Sequence, residues 1–229
     1  MIAFRTLLGW ILAFAAVADA SGADDRRKPR AETQLDRIAV HFEILQSDPV
    51  GAIPPEILRD ALALVIVRET RAGFVIGGKS GGGAMMVRGK DGWGAPALVR
   101  AQEGGVGLLA GWQSATFVQV LMSQTAVDAV RTNHFRFGVG VRVTSGPRSM
   151  GDEAKTRSAG SDVLVYSDTG GLYGGLAFEG GALRPDARAN RDLYGLEAEE
   201  VLFGAARPAP TPAGRRLIEA VTRAPAATK

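Results

Sequence analysis

Between Ala31 and Gln46 the apolar residues Leu35, Ile38, Phe42 and Leu45 recur at helical spacing, with Gln34, Arg37, His41 and Glu43 off their stripe. This predicts an amphipathic helix whose apolar side either packs on the domain or inserts at a membrane interface. The Pro54-Pro55 pair suits the start of a short helix over Glu56 to Ala63, and Leu64 to Val67 and Phe74 to Ile76 read as buried strands. Trp93 to Pro96 marks a bend into a strand from Ala97 to Ala101. Gly104 to Met122 reads as a hairpin: Val106, Leu108, Ala110 and Trp112 alternate on one strand, and Val118, Val120 and Met122 sit on the return. A short helix over Gln124 to Arg131 precedes the clearest alternation of the chain, Phe135, Phe137, Val139, Val141 and Val143 against His134, Arg136, Gly138, Gly140, Arg142 and Thr144. Gly146 to Ser161 is a polar loop, and a second hairpin joins Val163–Ser167 to Leu172–Glu179. Helices are predicted over Leu196–Phe203 and Ala213–Thr222, separated by Pro208, Pro210 and Pro212.

Many short alternating segments, 30 glycines and 46% hydrophobic residues predict an α+β domain. Its expected form is a glycine-rich, mainly antiparallel sheet or partly closed barrel with flanking short helices. The expected organisation is a leader over 1–20, a basic disordered arm over 21–30 and the domain over 31–205. Residues 206–229 then form a proline-rich linker, a terminal helix and a tail.

The leader is read from Arg5, the uncharged run Leu7 to Val17, and small residues at Ala16, Ala18 and Ala20 that place cleavage before Asp19 or Ser21. The run is shorter than the ~20 residues a permanent span requires. With no cysteine for a lipid or a disulfide, the mature chain is expected to be exported, most simply to the periplasm, with peripheral membrane association. The net charge of +3 is too small, and aromatic-basic platforms too few, for a nucleic-acid-coating protein.

Gly73 to Gly83, GFVIGGKSGGG, carries two catalytic look-alikes. Gly73, Gly78, Lys79 and Ser80 match the phosphate-loop spacing, and Gly78, Ser80 and Gly82 match a serine nucleophile elbow. Both motifs need a helix directly downstream, and here Gly81-Gly82-Gly83 passes into Ala84-Met85-Met86-Val87, so the stretch reads as a glycine-rich strand-turn-strand. A Ser80 hydrolase would also need a histidine, with His134 and Asp91 in the right chain order. Gly105, Gly107 and Ala110 imitate a dinucleotide fingerprint, but alternation runs straight through them. No enzyme activity, nucleotide, cofactor or metal is expected; two distant histidines and no cysteine make a poor zinc site.

An ordered set of landmarks resembles the SYLF domain over Ile44 to Phe203. It comprises Gly73-Phe74 with Gly77-Gly78, the glycine run to Gly83, Gly92-Trp93-Gly94-Ala95-Pro96-Ala97, and Gly105-Val106-Gly107 to Gly111. Gly146-Pro147, Tyr166-Ser167, Gly171-Leu172-Tyr173-Gly174-Gly175, and Asn190 with Tyr194-Gly195 complete it. The resemblance implies a non-catalytic binding protein: eukaryotic members bind phosphoinositide membranes, yeast members bind and bundle actin, and bacterial members are exported. Two departures are the Arg148-Ser149-Met150 that follows Pro147 and the missing lipid-attachment cysteine.

The leading expectation is binding to anionic phospholipid, phosphatidylglycerol or cardiolipin in a bacterial envelope, with a protein-interaction or structural envelope role as the alternative. The candidate lipid contacts are Arg26, Arg27, Lys28, Arg30, Arg37, Phe42, Lys79, Arg88, Lys90, Arg142 and Arg148, with Arg100 as a further basic residue.

Overall fold

The computed structural model describes residues 29–48, 52–74, 76–105, 110–132, 142–146, 160–168 and 183–223. Helix α1 covers residues 29–47 and α2 covers Pro55–Asp60. Strands β1 (Ala63–Phe74), β2 (Ile76–Gly89), β3 (Gly92–Trp93), β4 (Ala97–Gly105) and β5 (Ala110–Leu121) follow. Then come α3 (Gln124–Thr132), β6 (Val143–Ser145), β7 (Val163–Ser167), β8 (Leu183–Pro185), α4 (Ala187–Tyr194), α5 (Ala198–Phe203) and α6 (Pro212–Thr222).

The strands form one mixed sheet in the order β6-β7-β5-β1-β2-β4-β8, with β3 paired to β2 off that path. Every pairing is antiparallel except β6 with β7. Among the described residues the order does not close, so the sheet they form is open.

Both faces of the sheet are covered, which is why Ala63 to Val67 are buried without a break. Val65, Val67, Met85, Val99, Phe117 and Val165 point to one side, where Val127 and Val130 of α3 and Val201 and Leu202 of α5 pack. Leu64, Ile66, Met86, Leu98, Val118 and Leu164 point to the other, against Leu35, Ile38, Phe42 and Leu45 of α1 and Leu217 and Val221 of α6. The stripe read from the sequence is thus the α1 side of the core. The packed unit also runs past the expected boundary at 205, because α6 joins that core and its Ala213 N–H donates to Glu32 Oε2 at 3.0 Å.

Several local expectations change. The helix expected to reach Ala63 ends at Asp60, and Ala63 opens β1. Leu64–Val67 and Phe74 belong to one strand, and the glycine run lies inside β2, paired on both sides: Gly81 faces Glu69 and Ala101. The Gly104–Met122 hairpin does not form. Ala110 and Trp112 of its first arm and Val118 and Val120 of its return lie in the one continuous strand β5, which pairs with β1 and β7, so no turn separates them. Helix α4 is unannounced by apolar periodicity because Leu193 and Tyr194 are the only large apolar residues of ARANRDLY; its ends are nevertheless specified. Asp186 caps the first turn by accepting from Ala189 N–H, and Gly195 closes the last with φ 71°. The expected Leu172–Glu179 strand and most of the His134–Thr144 strand and of the Gly146–Ser161 loop lie outside the described residues.

Asn190 explains why α4 sits where it does. Its amide accepts from Leu98 N–H at 2.7 Å and donates to Leu98 C=O at 2.9 Å, completing the edge of β4 next to β8 as a strand would. Asn190→Ala should cost about 1–3 kcal/mol, since Leu98 N–H is left buried without a partner while its carbonyl keeps the Asp186 N–H. Urea unfolding would measure this; an unchanged midpoint would refute the strand-mimic role.

Candidate functional site

The sequence-predicted residues whose side chains are described do not form one patch. Arg30 and Arg37 are exposed on α1. Phe42 is 0% exposed and belongs to the core, so in this conformation its ring is closed to a lipid. Arg88 works inward: its Nε donates to Ala61 C=O at 2.8 Å and Nη2 to Leu58 C=O at 2.7 Å, tying the end of α2 to β2. Its guanidinium lies 4.1 Å from the Trp93 ring centroid, and burial holds its pKa below the usual guanidinium value. Lys90 is exposed at the β2–β3 turn. Lys79 lies in β2 between Arg71 and Glu103. Arg142 precedes β6, at the opposite edge of the sheet from β8, and pairs with Asp162 at 3.7 Å. Arg26, Arg27, Lys28 and Arg148 lie outside the described residues.

The look-alike motifs resolve on the same strand. Ser80 is an interior residue of β2, facing Thr70 and Gln102, and β2 continues to Gly89, so neither motif has the downstream helix its chemistry needs. His134 of the hydrolase reading lies outside the described residues.

Where the α1-side core runs out, β1 turns polar. By alternation Arg68 and Thr70 share the face of Leu64 and Ile66. Arg68 Nη1 donates to Thr116 Oγ1 at 3.0 Å and to Asp168 Oδ2 at 3.1 Å. Asp168 Oδ1 accepts from Thr116 N–H at 2.9 Å, and the Thr70 and Ser114 hydroxyls lie 3.0 Å apart. His41 of α1 feels this cluster: burial, then the positive field of Arg68, lowers its pKa, against a smaller opposing pull from Asp168. The imidazole therefore resists protonation, and folding loses stability from this group as pH falls below its unfolded value near 6.5.

Two features escaped the sequence reading. Val40 and Ile44, one turn apart on the outward side of α1, are 38% and 53% exposed. They lie off the main stripe, and that offset was the available signal. The second is a cleft of about 210 Å³ between α1, β4 and α4, lined by Arg30, Gln34, Arg100, Asp186, Arg188 and Asp192 among others. Arg188 carried no signal, because only folding brings it beside Arg30 and Arg100.

A family model described as "Ysc84: Las17-binding protein actin regulator" matches residues 102–224. "LAS seventeen-binding protein 3" of Saccharomyces cerevisiae is 36% identical over 165 residues, covering 69% of this chain and 36% of that protein. "Protein YSC84" of the same yeast is 36% identical over 148 residues, 62% of this chain and 32% of its own length. "SH3 domain-containing YSC84-like protein 1" of Xenopus laevis is 29% identical over 166 residues, 69% and 49% of the two chains. The chain thus spans about a third to a half of the length of these curated relatives.

Proposed function

Because this chain belongs to the Ysc84, or SYLF, family, we propose that it is a non-catalytic binding module for a protein surface of the kind its actin-regulator relatives meet. The contact face is the outward stripe of α1. Val40 and Ile44 carry this reading: they are two of the three large apolar residues exposed among the described residues, with Arg37 one turn before Val40. The opposite side of α1 is locked into the core, so the stripe is presented without an ordering cost. Its complement is an apolar surface with acidic neighbours.

Co-sedimentation with filamentous actin tests the family's partner class. The parent should pellet with filaments, and the double variant Val40→Ser, Ile44→Ser should bind about tenfold more weakly. Its unfolding free energy should stay within about 0.5 kcal/mol of the parent's, as for other exposed positions. A parent that stays in the supernatant at tens of micromolar actin, on the order of a weak protein contact, would remove actin as the partner.

A second reading, anionic phospholipid, is favoured by Arg30 and Arg37 standing exposed on the helix that exposes Val40 and Ile44, directly after Arg26, Arg27 and Lys28. Replacing Arg26, Arg27 and Lys28 by Ser should weaken binding to phosphatidylglycerol vesicles by up to about 1 kcal/mol per charge. The loss should shrink as salt is raised. Equal binding by parent and variant at low salt would sink the electrostatic component. Export completes this reading: protein recovered outside the cytoplasm should begin at Asp19 or Ser21 by intact mass, and retention of the full-length chain would overturn it.

A further inference from the structure

We propose that α6 is a detachable ligand seated in a helix-binding groove on the α1 side of the core, and that this groove takes α6 of a second copy in exchange, joining two chains. The groove recognises α6 at several points. Ala213, Leu217 and Val221 fall on one side of the helix and are buried in the core cluster that also holds Leu35 and Phe42 of α1, the anchoring pattern of a helix laid in an apolar groove. Glu32 Oε2 accepts from Ala213 N–H at 3.0 Å, so a carboxylate of α1 meets the positive end of the α6 dipole. Gly214 rests on Pro96: a Cβ there would stand 3.1 Å from Pro96 Cδ, so a larger residue would hold the helix off the groove. At the rim Arg216 Nη1 lies 3.5 Å from Asp36 Oδ1; with both side chains about half exposed, this pair sets register more than affinity.

What shapes α6 travels with it. Thr211 Oγ1 accepts from Gly214 N–H at 3.1 Å and Pro212 occupies the first turn, so the cap and the start signal lie inside the segment. Among the described residues, its one main-chain hydrogen bond to another element is the bond to Glu32. Helix α4 is the contrast, tied to β4 by both ends of the Asn190 amide. A helix as short as α6 is marginal by itself in water, so its order depends on filling a groove.

The arm that carries α6, residues 204–211, is extended. Pro208 and Pro210 restrict φ to the polyproline range, and Thr211 continues it with φ −66° and ψ 169°. Ala205, Ala206, Arg207 and Ala209 are exposed, and the arm is tied to the sheet through Arg207 Nη1, which donates to Val87 C=O at 3.3 Å. The contacts in the groove are the same whichever copy supplies the helix. Docking on its own chain and docking on a neighbour therefore differ only in arm strain and in the cost of joining two chains. A short tether sets a local concentration of about millimolar, so self-docking dominates in dilute solution and exchange grows as the protein approaches that concentration.

The chain has no cysteine, so single introduced thiols report where α6 lies. One full-length preparation carries Asp36→Cys and another Arg216→Cys, both at the groove rim. The two are mixed at about millimolar concentration, treated with a short bismaleimide, and the links are read by mass spectrometry of the digest. Links between position 36 of one chain and position 216 of the other should be about tenfold more frequent than links between like positions. Adding Leu217→Asp to the Arg216→Cys chain should remove that excess, since a carboxylate is costly in an apolar groove. Deleting residues 205–208 shortens the arm by about 12 Å and keeps α6 from its own groove, so this variant should be a folded dimer by light scattering even in dilute solution. Unlike-position links no more frequent than like-position links, or an excess unaffected by Leu217→Asp, would overturn the proposal, and so would a deletion variant that is folded and monomeric. Should the deletion variant fail to fold, the cross-links in the full-length chains decide alone.

Discussion

Phe42→Ala is expected to lower the unfolding free energy by about 3–5 kcal/mol, the usual range for emptying a buried aromatic site. The ring is 0% exposed on the core side of α1, in the core cluster that also holds Leu64, Ile66 and Leu164. Collapse cannot readily refill the space, because β1 is held on both sides, by β2 and by β5, along its length. Chemical unfolding should show a lower midpoint with an unchanged slope. Ile44→Ala, on the outward side of the same helix, should change little, since that side chain is half exposed. Near-parental stability of Phe42→Ala would mean that α1 leaves the domain in solution and its apolar stripe is free for a membrane.

Gly83→Ala should be comparably damaging for a different reason. A Cβ at this position would stand 2.3 Å from Ile66 C=O and 2.8 Å from Val67 Cγ2. The nearest obstacle is the backbone of β1, which cannot turn away as a side-chain tip can. Overpacking ordinarily costs about 1–3 kcal/mol, and a clash with a doubly paired central strand belongs at or above the top of that range. Gly92→Ala is the informative contrast. That glycine has open space around its missing Cβ, and its φ of 109° makes the cost one of backbone strain, of the order of 1–3 kcal/mol. Comparison of folded yield and denaturation midpoints separates the two; a Gly83→Ala chain as stable as the parent would show that β1 and β2 are not held at this separation.

These two residues also mark what was legible before the fold was known. Phe42 announced its place, because a stripe at three-and-four spacing has one buried side wherever the helix docks. Gly83 did not. A run of glycines is compatible with a phosphate cradle, a flexible turn or a close strand approach, and only the register that sets Gly83 against Val67 selects the last. The candidate site divides in the same way. Arg88 looked like a free surface cation; its partners are carbonyls of Leu58 and Ala61, about thirty residues away in sequence. The arginine cleft joins Arg30 to Arg100 and Arg188, and no local pattern encodes that meeting.

Local chemistry by itself determined the amphipathic face of α1, the Pro54-Pro55 entry to α2, the short α3, the apolar strand segments, the rejection of a helix after Ser80, and the ordered landmarks of the family. Each depends on residues a few positions apart, where periodicity, proline geometry and glycine content act directly on the backbone. Tertiary structure alone decided that Ala110 to Leu121 run as the one strand β5 instead of turning back as a hairpin, that the Ala187–Tyr194 segment becomes α4 with Asn190 completing the edge of β4, and which arginines meet. Those outcomes follow from pairing and burial between segments far apart in sequence, Leu98 and Asn190 being 92 residues apart, whose free energy exists only once the sheet has assembled.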